Sequence, residues 1–162
     1  MLALKTILHP TDFSPRSEYA FRLACSLARD HGARVLLLHV VTPQPAVSYG
    51  EMIVEPDGAA QVEQAWQALR QIKAPDPAVK LELRVEEGFA AAEIVRVAEE
   101  TGADMIVLGT HGRSGLGRLL MGSVAEQVVR RAKCPVLTVK SPLPETEAPP
   151  EAPVYALKED RP

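Results

Sequence analysis

Two short runs in the chain, residues 35–41 and 105–108, are apolar almost without a break, and residues 4–9 form a third short apolar run, interrupted by Lys5 and Thr6 and ending at Pro10. A strand with one wet face alternates apolar and polar residues. A strand that is apolar throughout must be covered on both faces, which is the situation of a parallel sheet with a helix layer on each side. Between these runs the apolar spacing changes to that of helices. Ala20, Phe21, Ala24, Leu27 and Ala28 recur at one helix face, as do Val62, Ala65, Trp66, Leu69 and Ile72, then Ile94, Val95, Val97 and Ala98, then Val124, Val128, Val129 and Ala132. A further strand, the third along the chain, is expected around Val79, Leu81, Leu83 and Val85, which alternate with polar residues as a half-exposed edge strand does. A fifth is expected over residues 136–139. Strands and helices thus alternate strictly, five of one and four of the other. That pattern predicts an α/β fold, a three-layer sandwich with a parallel sheet between helices.

The punctuation agrees with this division. Ser14 followed by Pro15 is a cap and first-turn pair, and Gly32 and Gly102 are placed to end helices. Residues 42–57 contain Pro43, Pro45, Gly50 and Pro56 and are expected to form one long loop. Trp66 is expected in the core. Residues 141–162 hold six of the 14 prolines and several acids, and read as a Pro-rich acidic tail following a domain of residues 1–140.

Composition narrows the function classes. A chain of 162 residues is one domain on length and can bury enough surface to need neither metal nor disulfide. The net charge of −3 argues against a duplex nucleic-acid binder, which carries a basic face. Cys25 and Cys134 match no zinc spacing and read as buried free thiols. No apolar stretch approaches the ~20 residues of a membrane span and the start of the chain has no leader pattern, so a cytoplasmic location is expected.

Two segments carry the chemistry. In open α/β sheets ligands bind beyond the carboxyl ends of the strands, where strand order reverses. Pro10-Thr11-Asp12-Phe13-Ser14 follows the first strand, and residues 109–123, GTHGRSGLGRLLMGS, follow the fourth. In a sheet of order 3-2-1-4-5 both would line one crevice. Glycine lets backbone amides approach an anion without a Cβ in the way, and a helix start adds unpaired N–H groups with about half a positive charge. Residues 109–123 therefore have the physics of a phosphate cradle, to which Arg113 and Arg118 could add charge. Ser123 with Glu126 fits a capping box, in which case its hydroxyl would cap the helix rather than reach a ligand. A Walker A loop is excluded by the missing lysine, and the dinucleotide fingerprint by Leu120 at its third glycine position. No nucleophile and base can be paired by spacing.

These residues resemble the universal stress protein family. The resemblance rests on Ile7-Leu8-His9-Pro10-Thr11-Asp12-Phe13-Ser14, on His39-Val40-Val41, on Gly109-Thr110-His111-Gly112 followed after nine residues by Gly122-Ser123, and on Cys134-Pro135-Val136-Leu137-Thr138-Val139. The third feature is similar to the G-x2-G-x9-G-[ST] pattern of the family's ATP-binding subset. The resemblance implies an adenine-nucleotide-hydrolase-like fold with strand order 3-2-1-4-5 and ATP or AMP in the crevice. It implies Pro10, Thr11, Asp12 and Val40 or Val41 around adenine and ribose. Gly109, His111, Gly112 and Arg113 would lie towards ribose and α-phosphate, and Gly122, Ser123 and Val124 at the outer phosphates, with Mg²⁺ or Mn²⁺ possible among them. It further implies a homodimer through residues 136–140 and a regulatory role in the stress response. The alternatives left open are a slow ATPase, an AMP- or cyclic-AMP-binding protein and a ligand-free dimeric scaffold.

Overall fold

The computed structural model describes residues 3–44, 47–49, 52–54, 57–110 and 121–140. The tail expected over 141–162 and the site candidates His111, Gly112, Arg113 and Arg118 lie outside them.

Along the chain the elements are β1 (Thr6–Pro10), α1 (Pro15–His31), β2 (Arg34–Val41), β3 (Val47–Tyr49), β4 (Met52–Val54), α2 (Gly58–Gln71), β5 (Lys80–Glu87), α3 (Ala90–Thr101), β6 (Met105–Gly109), α4 (Ser123–Arg131) and β7 (Val136–Val139). Five strands form one parallel sheet in the order β5-β2-β1-β6-β7, the 3-2-1-4-5 order expected.

The continuous apolar runs are explained by two separate cores. Ile7, Val35, Leu37 and Val107 face α1 and α2, where they meet Phe21, Ala24 and Leu69. Their neighbours Leu8, Leu36, Leu38, Ile106 and Leu108 face α3 and α4, where they meet Ile94, Val97 and Val128. Because side chains alternate across a strand, a central strand must be apolar at every position to fill both cores. β5, at one edge, does alternate. Leu81, Leu83 and Val85 pack on the first core, while Glu82, Arg84 and Glu86 turn the other way. There Glu82 pairs with Arg34, and Arg84 pairs with Glu86 and Glu100.

The structure corrects five expectations. Residues 42–57 are not one plain loop, since β3 and β4 pair antiparallel, Val47 with Val54 and Tyr49 with Met52. Strands of three residues are too short to stand out against flanking proline and glycine. Trp66 is half-buried rather than core, with the Arg70 guanidinium 5.7 Å above its ring. Its helix starts earlier than the apolar pattern suggested, at Gly58, because the Asp57 side chain accepts from the Ala60 amide. On α4 only Ala125 and Val128 are buried, and Val124 and Val129 are exposed. Cys25 is buried and Cys134 half-buried. Burial pushes the Cys25 thiol up to about 11 and also raises Cys134, so both stay protonated.

Candidate functional site

A cleft of about 320 Å³ opens at the carboxyl ends of β1 and β6, the two strands between which the winding of the sheet reverses. One wall is the β1–α1 connection, with Pro10, Thr11 and Asp12. The opposite wall is Gly109, Thr110 and the start of α4, with Gly122, Ser123 and Val124. Leu38, Val40, Ala90, Ile94 and Leu108 make the apolar floor. The two segments singled out in the sequence therefore do face one another. Val40 lines the cleft. Val41 does not, being buried with its carbonyl taken by the Gly88 amide at 3.0 Å. Gly88 sits at φ +145°, and a Cβ there would come within 2.9 Å of Glu93. Only glycine allows this tight exit from β5, which sets Ala90 and Ile94 of α3 over the floor.

The first wall is pinned from every side. The Thr11 amide donates to Leu38 O at 2.8 Å, and its carbonyl accepts from His39 Nδ1 at 2.8 Å. Its Oγ1 accepts from the Phe13 amide at 3.1 Å and lies 3.0 Å from Ser17 Oγ. Asp12 Oδ1 accepts from the Ser14 amide at 3.0 Å. Ser14 caps α1 as expected, its Oγ accepting from the Ser17 amide at 3.2 Å. Phe13 holds a left-handed φ of 62°, a strained state for a residue with a side chain, and its ring lies 4.4 Å from that of His39.

Beneath this wall lies His9, completely buried, with Nδ1 2.7 Å from Val107 O and Nε2 3.3 Å from Ser17 Oγ. Burial lowers its pKa to about 4, against smaller opposing effects from the Val107 carbonyl and Asp12. The Ser17–His9 pair resembles a nucleophile and its base, which the sequence could not pair. A base with a pKa near 4 has little power to take a proton from serine at neutral pH, so the pair is a structural contact rather than a hydrolytic one.

The second wall differs from the capping box expected of Ser123 and Glu126. The N-cap of α4 is Gly122, no side chain among the described residues caps the helix, and Ser123 is its first residue. Glu126 instead pairs with Arg130. The reason is tertiary: the Gly122 amide donates to Thr110 O at 2.7 Å, which fixes where the chain turns into the helix. The first turn of α4 therefore lines the cleft with no side-chain cap among the described residues, and the Ser123 hydroxyl is not the cap of this helix.

Sequence reasoning missed Ser17 and His39 as cleft residues. Ser17 sits three places beyond the cap, where its burial marks it, but burial is visible only after folding. His39 was in view as part of the β2 terminus, though its bond to Thr11 O could not be read from spacing.

An α/β sheet with an apolar cleft at its switch point and a helix start on one wall is the place where ligands bind in open doubly wound α/β domains. The comparisons narrow this class. The model of the universal stress protein family matches residues 3–140, and the chain belongs to that family. Universal stress protein MJ0531 of Methanocaldococcus jannaschii is 41% identical over 141 residues, covering 85% of this chain and 83% of its own length. Among solved structures, that of hypothetical protein MJ0577 has a TM-score of 0.72 at 29% identity and covers 87% of this chain and 99% of its own. A universal stress protein in complex with cAMP has a TM-score of 0.56 at 28% identity, covering 85% of this chain and 97% of its own. One from Archaeoglobus fulgidus in complex with dAMP has a TM-score of 0.54 at 26% identity, covering 86% and 100%. No helix among the described residues is long and apolar enough to cross a membrane.

Proposed function

We propose that the chain is a nucleotide-binding regulatory module of the stress response that takes ATP, or AMP, in the cleft between the β1–α1 connection and α4. The observation that carries this reading is the start of α4, with glycine as its cap and no side-chain cap among the described residues, facing an apolar cleft across the sheet's switch point. The floor of Leu38, Val40, Ile94 and Leu108 suits a flat aromatic base. Thr11 and Asp12 offer polar groups for the nucleoside, and the amides of Ser123 and Val124 suit the phosphates. A hydrogen bond to a charged group contributes about 1.5–3 kcal/mol, so a few such contacts with base burial support affinity on the order of micromolar. Relatives in complex with cAMP and dAMP support an adenine nucleotide. His111, Gly112 and Arg113 would complete the phosphate wall by the spacing of their motif.

Among the described residues no group of three His, Cys, Asp or Glu could cage a metal ion. A Mg²⁺ or Mn²⁺ accompanying ATP would then be held chiefly by phosphate oxygens, its ordinary mode in nucleotide sites, and would supply charge neutralisation. The outer edge of β7 faces no other strand of the described sheet, which suits pairing with a second copy through residues 136–140.

Titration calorimetry with ATP and Mg²⁺ tests the reading. Heat of binding and a matching rise in Tm are expected. Neither heat nor thermal shift at millimolar nucleotide would refute it.

A further inference from the structure

Behind the first wall lies a second cavity, of about 450 Å³, between the first turns of α1 and the connection that follows α2. That volume falls within the roughly 300–1,000 Å³ typical of small-molecule sites. Leu37 and Phe21, both buried, form its base, and Phe13, Ile72 and Pro75 extend the apolar lining outwards. Three exposed charged residues also line it, Glu18, Arg22 and Lys73. Glu18 and Arg22 answer each other, with Arg22 Nη2 2.7 Å from Glu18 Oε1. Lys73 has no such partner among the described residues, so the lining carries one uncompensated positive charge. Thr11 lines both cavities, and Phe13, its ring beside that of His39, lines the second. The two cavities therefore share the β1–α1 wall.

We propose that this second cavity binds a small organic acid with an apolar body, its carboxylate beside Lys73 and its body against Phe13, Phe21 and Ile72. The apolar lining favours the body by taking it out of water. The unanswered ammonium selects the sign of the head group. A cation would meet like charge, and a neutral head would forgo the attraction. A carboxylate at an exposed lysine gains only about two- to fivefold in affinity. The lining therefore supplies most of the binding, and Lys73 the preference for an anion. Such binding does not depend on what occupies the nucleotide cleft.

Titration of the full chain with 4-phenylbutyrate and its neutral analogue 4-phenyl-1-butanol tests this, read by NMR of the isoleucine δ1 methyls. Ile72 lines the second cavity and Ile94 the nucleotide cleft, so the two methyls report on the two sites separately. Phenylbutyrate is expected to shift the Ile72 methyl saturably and to move Ile94 much less. It should bind about threefold more tightly than the alcohol. Lys73→Glu should erase that preference, weakening the acid by about fivefold and changing the alcohol by less than about twofold. Phe13→Gly removes an aromatic side of the cavity at a left-handed position that glycine adopts without strain, so the fold is kept. It should weaken both ligands by about threefold or more. Absence of a saturable shift at Ile72, a larger shift at Ile94, or a preference for the acid that survives Lys73→Glu overturns the inference. So does a Phe13→Gly variant that binds both ligands as wild type does.

Discussion

Helices α1 and α4 both begin at the carboxyl end of the sheet, beside the same cleft, and they begin in opposite ways. α1 is closed: Ser14 supplies a side-chain cap, Pro15 removes one amide, and Asp12 occupies the Ser14 amide. α4 is open: glycine stands at its cap and no side chain among the described residues caps its first turn. A glycine cap forgoes only a few tenths of a kcal/mol that a serine or aspartate would contribute. The contrast divides the work of the cleft. The closed start gives a rigid wall whose polar groups are already committed to one another. The open start keeps its electrostatic capacity for an incoming anion.

Acid should break the closed wall first. His9 titrates near 6.5 in the unfolded chain and near 4 in the fold, where Asp12 is the charged group acting on it. Between those values the unfolded state binds the extra proton, so stability falls as pH drops from about 6.5 towards 4. The loss is on the order of 3 kcal/mol and is absent above the unfolded value. Denaturant unfolding of wild type and His9→Gln at pH 7 and pH 4.5 checks this. The variant should start less stable and lose markedly less over that interval.

Closing the open wall should separate stability from binding. Gly122→Asp supplies both a cap and a negative charge at the start of α4. Stability should rise by about 0.5–1 kcal/mol, read as Tm. Affinity for ATP should fall by about 100-fold, because the carboxylate occupies and repels where phosphate would sit. A variant that binds ATP as well as wild type would mean that the helix start does not receive phosphate.

Two serines give the finest test. Ser14→Ala removes a working cap and should cost about 1 kcal/mol of stability. Ser123→Ala removes a hydroxyl that caps nothing and should change stability by less than about 0.3 kcal/mol. Equal losses would restore the capping box.

The sheet and the position of the cleft were legible in the sequence because two-sided burial leaves an unmistakable mark. Residues such as Ile7, Leu8, Val35 and Leu36 are apolar in succession only if both faces are covered. The cap of α4 was not legible. Ser123 and Gly122 are both acceptable caps locally, and the choice falls to a bond between Gly122 and Thr110, twelve residues apart. Nor was the contact between Ser17 and His9. Nothing local says that Ser17 on α1 turns towards a histidine eight positions earlier rather than to solvent. Burial of polar groups is decided by how the layers close, and it becomes visible only with them. His39 belongs with these, as its partner Thr11 is brought close by strand pairing.

The two cores flanking the sheet have a consequence for how such a chain can change over time. In β1 and β2 each successive residue belongs to a different core. Loss or gain of a single residue there would exchange the occupants of both cores at once, with no intermediate arrangement to soften it. Additions and deletions are therefore confined to the connections, while the central strands can evolve only by swapping one apolar side chain for another of similar bulk.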